Sequence, residues 1–141
     1  MLVNIKVKGV YALIVKLEKD IKVNIGALGK INFKKGDYAY IGSAQNNLQR
    51  RIDRHLRDKK RKHWHIDYLL KNKKAKVTEV YYKTAGKEEE CRIAKLLEKN
   101  ETPVKRFGCS DCKCASHLFK LENKKTIRKE MIKYENSSNR R

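Results

Sequence analysis

Residues 36–56 read GDYAYIGSAQNNLQRRIDRHL, and the apolar period changes inside them. In DYAYIGS the β-branched and aromatic residues are those of a strand, so Tyr38, Tyr40 and Gly42 share one face while Ala39 and Ile41 take the other. From Asn46 onward Leu48, Ile52 and Leu56 recur every four positions, which is one face of a helix. A strand running almost directly into an amphipathic helix is the joint around which the remaining elements arrange themselves.

Upstream, GVYALIVKL (9–17), IKVNI (21–25) and KINF (30–33) have strand character and are separated by EKD, GALG and KKG. Turns this short imply that consecutive strands pair as antiparallel hairpins. Downstream, WHIDYLL (64–70) predicts a second helix, KVTEVYY (76–82) a strand, and KEEECRIAKLLEKN (87–100) a third helix stopped by Pro103. A last basic helix is expected over KKTIRKEMIKY (124–134), followed by a polar tail, ENSSNRR (135–141), expected to be disordered. The pattern is α+β, antiparallel strands followed by helices, in one domain over 1–134.

A chain of 141 residues, 40% hydrophobic, supports one core and is short for two. Its 36 Lys+Arg against 16 Asp+Glu leave a formal net charge of +20, which points to a polyanionic partner. The basic residues are spread over the whole chain. That favours nucleic acid, whose phosphates release condensed counterions along a line, over a membrane met by one basic amphipathic helix. There is no run of 18 apolar residues, and MLVNIKVKGVYALIV alternates like a strand instead of forming a signal peptide's apolar block. The expectation is a cytoplasmic protein with no membrane partner. In that compartment the four cysteines are expected as thiols or metal ligands before disulfides.

Two readings compete for the tyrosines. Tyr11, on a face with Leu13 and Val15, and Tyr38 and Tyr40 either pack a helix onto the sheet or line a site. Gly42, with Ser43 beside it, supports the second reading, because a glycine at a strand end admits a ligand or another backbone. At about 100° per residue, His55 falls inside the Leu48–Ile52–Leu56 stripe and Arg51 at its edge, while Arg50, Arg54 and Arg57 point away. Arg51 and His55 are thus aimed at the sheet, either as core and snorkelling residues or as site residues. In the third helix Ile93, Leu96 and Leu97 mark the buried face, which sets Glu88 in solvent and leaves Glu89 and Glu90 both near that face. His65 and Asp67 of HWHIDYLL lie beside the site or simply dress a buried helix. Cys109, Cys112, Cys114 and His117 of CSDCKCASH suit tetrahedral zinc, a redox pair or the packing of a loop, and Asp111 and His117 are alternatively within reach of the site.

GVY at 9–11, YIG at 40–42 and RIDRH at 51–55 together resemble the GIY-YIG nuclease superfamily, which includes homing endonucleases, the excision-repair incision nuclease and several restriction enzymes. The GALG insert, WHIDYLL and CSDCKCASHLF are similar to its Uri-superfamily branch, some members of which are fused to endonuclease III. The resemblance spans about residues 8 to 120. It implies a small, mostly antiparallel mixed sheet flanked by helices, and a phosphodiesterase site formed by Tyr11, Tyr40, Arg51 and His55, with a glutamate on a later helix, matched by Glu90, holding one Mg²⁺ or Mn²⁺ ion. The better-known relatives carry an asparagine after that helix, and this chain has no clear equivalent.

The resulting expectation is a metal-dependent endonuclease acting on DNA, structured, nicked or damaged, with a repair protein as a further partner. Tyr11 would accept the proton of the attacking water if a nearby cation lowered its pKa. The alternative is a non-catalytic DNA- or RNA-binding module on the same fold, and a third reading is a zinc-stabilised interaction domain.

Overall fold

The computed structural model describes residues 7–57, 62, 64–108 and 114–135. His63, Cys109, Asp111, Cys112 and the tail 136–141 lie outside them. Strand β1 (Gly9–Leu17) is buried along its length except at Lys16. A strand hidden on both faces needs a long partner on each edge, and the chain supplies two of equal length, β4 (Gly36–Ala44) and β5 (Ala75–Lys83). Both pair antiparallel with β1, in a register that sets Tyr11 opposite Gly42 and Leu13 opposite Tyr40.

Between β1 and β4, β2 (Ile21–Asn24) and β3 (Lys30–Phe33) form a hairpin of their own. The expected pairing of consecutive strands thus holds for β2 with β3 and is corrected for β1 with β2 and for β3 with β4. Apart from the buried Phe33, the short strands β2 and β3 alternate partly buried and exposed residues, and they are too short to cover β1 along its length. The chain detours through them, and β4 returns to lie against β1. The main sheet is completed by β6 (Thr102–Pro103), β7 (Leu118–Lys120) and β8 (Ile132–Lys133), in the order β6-β7-β4-β1-β5-β8. Each pairing among the described residues is antiparallel.

Helices cover both faces. Tyr11, Leu13, Val15 and Tyr40 pack with Leu48 and Ile52 of α1 (Leu48–Leu56) and with Ile66 and Leu69 of α2 (His65–Leu70). Val10, Ala12, Ile14 and Ile41 pack with Ile93, Ala94 and Leu97 of α3 (Glu88–Asn100) and Ile127 of α4 (Lys125–Glu130). The last helix is shorter than expected: it stops at Glu130, Met131 turns extended, and Ile132–Lys133 pair with β5 instead. Met131 is buried, and the edge of β5 offers the backbone partners that a further helical turn would have replaced. Among the described residues no helix is long and apolar enough to cross a membrane.

Candidate active site

The end of β4 brings the two faces together. Successive strand residues point to opposite sides, so Gly42 faces α1 and Ser43 faces α3. Gly42 has a steric reason to be glycine: a Cβ there would run into the Tyr11 hydroxyl and ring. The space reserved by this glycine is thus filled by the protein's own tyrosine, and not by a ligand or a second backbone. Tyr11, 2% exposed, directs its hydroxyl at His55 Nε2, 2.7 Å away. Tyr40 stands beside both rings, its centroid 6.4 Å from Tyr11 and 6.2 Å from His55.

Burial pushes the pKa of Tyr11 well above the ordinary tyrosine value, and Arg51 nearby offsets only part of that rise. The expected cation is present, but its pull is the smaller effect, so Tyr11 stays protonated, and its hydroxyl and His55 Nε2 share the hydrogen bond. Tyr40 is raised by burial too, and the neighbouring Tyr11, Glu90 and Asp67 add to the rise.

Ser43 is the hub of the polar groups. Its Oγ donates to Glu90 Oε1 at 2.7 Å, and its carbonyl accepts from Arg51 Nη1 at 3.0 Å. His117 Nδ1 lies 2.9 Å from the other carboxylate oxygen, Oε2. Burial alone would raise the Glu90 pKa, yet the hydrogen bonds from His117 and Ser43 outweigh it, and the carboxyl sits below its ordinary value. Glu90 is therefore ionised at neutral pH. Its neighbour Glu89 faces elsewhere, bonded to Lys83 at 2.7 Å and to Arg92, which together hold its pKa down to about 2. Glu88 is exposed. The ambiguity between Glu89 and Glu90 is resolved by position: only Glu90 meets the strand end.

Beyond Ser43 opens a cleft of about 760 Å³ lined by Arg50, Arg51, Arg54, Arg57 and Lys87, with Asn47 and Trp64. Asn47 caps α1 by accepting from the Arg50 amide. The guanidinium groups of Arg51 and Arg54 lie against the Trp64 indole, 4.5 and 4.3 Å from its centroid. Tyr11, Tyr40, His55 and Glu90 are not among the residues that line the cleft.

The other expected site residues have structural partners. Tyr38 donates to the Lys34 carbonyl at 2.6 Å, at the far end of β4 from Gly42. His65 accepts from the Gly108 amide at 2.8 Å and packs against Phe107; burial lowers its pKa, so it is a neutral acceptor pinning that turn. Asp67, fully buried, binds Arg54 through both carboxylate oxygens at 3.0 Å and accepts from the Trp64 amide at 2.9 Å. Arg54 was expected to point away from the sheet into solvent, and α2 claims it instead.

Cys114 and His117 come together as expected of the cysteine segment, and Cys91 of α3 joins them. One ligand atom from each lies within 4.8 Å of the others, a group able to hold a metal ion. Sequence reasoning missed Cys91; the available signal was that it directly follows Glu90, in the first turn of the helix expected to face the site.

A family model described as domain of unknown function DUF123 matches residues 10–140. No curated protein and no solved structure matches the chain.

Proposed function

Since the chain belongs to the DUF123 family, which establishes kinship and leaves the chemistry to be read from the site, we propose that it is a divalent-metal-dependent endonuclease hydrolysing phosphodiester bonds in DNA. The observation carrying this reading is the convergence at Ser43. An ionised carboxylate and a fixed arginine fork are joined through one residue, beside a tyrosine–histidine pair and an arginine-lined cleft. The set agrees with the GIY-YIG resemblance at Tyr11, Tyr40, Arg51, His55 and Glu90.

The cationic cleft draws in the backbone phosphates, and Arg51 presents two N–H groups of a rigid plane to the phosphate oxygens. Its bond to Ser43 and its contact with Trp64 hold that plane in place before substrate arrives. The attacking water gives a proton to the Tyr11 oxygen as Tyr11 passes its own to His55 Nε2, so the phenol never becomes a free phenolate and the imidazole ends protonated. The resulting hydroxide forms the new P–O bond, the ester P–O bond breaks, and the leaving oxygen takes a proton from solvent. Tyr40 walls the pair and excludes bulk water.

Glu90 fits a hard ion: it is ionised, and each oxygen retains a lone pair beyond those used by Ser43 and His117. Mg²⁺ or Mn²⁺ there would supply positive charge to the phosphate and the leaving oxygen. The sulfur-bearing cluster beside it suits a softer ion, zinc before magnesium.

The burial of Tyr11, and the absence of both Tyr11 and Glu90 from the cleft lining, favour the second reading, a DNA- or RNA-binding module that does not cut. Cleavage assays on single-stranded, flapped, nicked and base-damaged DNA with Mg²⁺ or Mn²⁺ separate the two. For the nuclease, Tyr11→Phe and Glu90→Gln should each lower cleavage about a hundredfold or more while leaving binding intact. The two losses should not add, since members of one catalytic unit fail together. Glu89→Gln is the control and should cut normally. Tight binding without cleavage of any of these substrates would establish the module instead.

A further inference from the structure

We infer that Cys91, Cys114 and His117 form a zinc site that pins the first turn of α3 to the segment entering β7. The three donors come from two elements far apart in sequence, and one ligand atom from each lies within 4.8 Å of the others. Two ligands on a tetrahedral zinc ion, at about 2.3 Å for sulfur and about 2.0 Å for nitrogen, stand roughly 3.5 to 3.8 Å apart. Closing the triad on an ion therefore needs movements of only about 1 Å. Cys91 and Cys114 are partly exposed, which gives the ion a way in, and His117 is buried at 3% exposure, which fixes one ligand firmly.

The hydrogen bonding of His117 points the same way. Its Nδ1 is 2.9 Å from Glu90 Oε2, and a carboxylate oxygen accepts, so Nδ1 carries the hydrogen. In the neutral imidazole the lone pair is then on Nε2, the nitrogen a metal takes. A histidine giving one N–H to a carboxylate and its other nitrogen to zinc is the usual support for such a ligand, setting its tautomer and raising its basicity. Thiolate and imidazole donors together select zinc over magnesium or calcium. The backbone is already braced here: the His117 carbonyl accepts from Ile41 and its amide donates to Phe107, both at 2.8 Å. Only the side chains must adjust.

The site stands whether or not the protein cuts DNA, and its test uses no cleavage assay. The full chain, purified under reducing conditions without chelator or a metal-affinity column, should carry about one equivalent of zinc. After stripping, Co²⁺ titration should give the intense sulfur-to-metal charge-transfer absorption of thiolate ligation, and Zn²⁺ should displace it. Cys91→Ser should lower zinc affinity at least tenfold and weaken that absorption, with the far-ultraviolet circular dichroism unchanged. His117→Gln should lower affinity too, while Glu89→Gln should not. Less than about a tenth of an equivalent of zinc, with no uptake on titration of the wild-type protein, would overturn the proposal. So would full zinc content and an unchanged cobalt spectrum in Cys91→Ser.

Discussion

Tyr11 shows how one residue can be core and site together. Its ring fills the space that Gly42 leaves, and its hydroxyl reaches His55 only because no Cβ stands in the way. Gly42→Ala should therefore cost about 1–3 kcal/mol, the usual range for overpacking a filled core, with no glycine-specific backbone angle involved. Urea unfolding measures it, and Tyr11→Phe should not rescue the variant, because the ring carbons collide as well as the oxygen. The buried hydroxyls also predict the alkaline behaviour. Folding raises the pKa of Tyr11 and Tyr40, so the folded state prefers the neutral phenol. Their contribution to stability is complete below the ordinary tyrosine pKa of about 10 and is lost as pH rises above it. Tyrosinate absorbance should show these two, and Tyr38 with a pKa pushed up to about 12, titrating above the ordinary tyrosine pKa of about 10. Ordinary titration of all seven in the folded protein would contradict this burial.

The short helix α2 is held by a single acid. Asp67 is inaccessible, takes both hydrogen bonds of the Arg54 fork, and ties down the amide of Trp64, the residue against which Arg51 rests. Removing one partner of a buried pair leaves an uncompensated charge, so Asp67→Ala should cost about 3 kcal/mol, while Glu89→Gln on the surface should cost less than about 1 kcal/mol. Thermal unfolding compares them. None of this was visible in WHIDYLL, where Asp67 was equally compatible with a site beside the tyrosines; a polar residue's partner is a three-dimensional fact. What periodicity did carry is the strand-to-helix joint, since Leu48, Ile52 and His55 are buried as their spacing requires. It carried no information on pairing. Loop lengths suggested that β1 and β2 would zip together, whereas β1 chose partners long enough to cover it. The metal-capable cluster was half legible for the same reason: Cys114 and His117 are neighbours in sequence, and Cys91 meets them only across the fold.

At the scale of the whole molecule, part of the formal charge of +20 gathers at one place. Four arginines and Lys87 face one cleft, at the strand end where Arg51 and Glu90 meet through Ser43. Their roles differ. Arg54 is neutralised by Asp67, so it contributes packing against Trp64 more than field. Arg50 and Arg57 are exposed, and Arg50's backbone, but not its guanidinium, serves the cap of α1. Their exposure brings both within reach of phosphate. If nucleic acid lies in this cleft, log affinity should fall linearly with log salt concentration, with a slope of about −0.9 per phosphate neutralised on duplex DNA. Arg50→Ala and Arg57→Ala should each make that slope shallower by about 1. Their double variant should lose the sum, because well-separated phosphate contacts act independently. Substituting an exposed lysine on the opposite side, such as Lys129, should leave the slope nearly as it was. Equal effects from Lys129 and Arg50 would mean that the charge acts as a diffuse field over the whole surface, and the cleft would lose its claim to be the binding face.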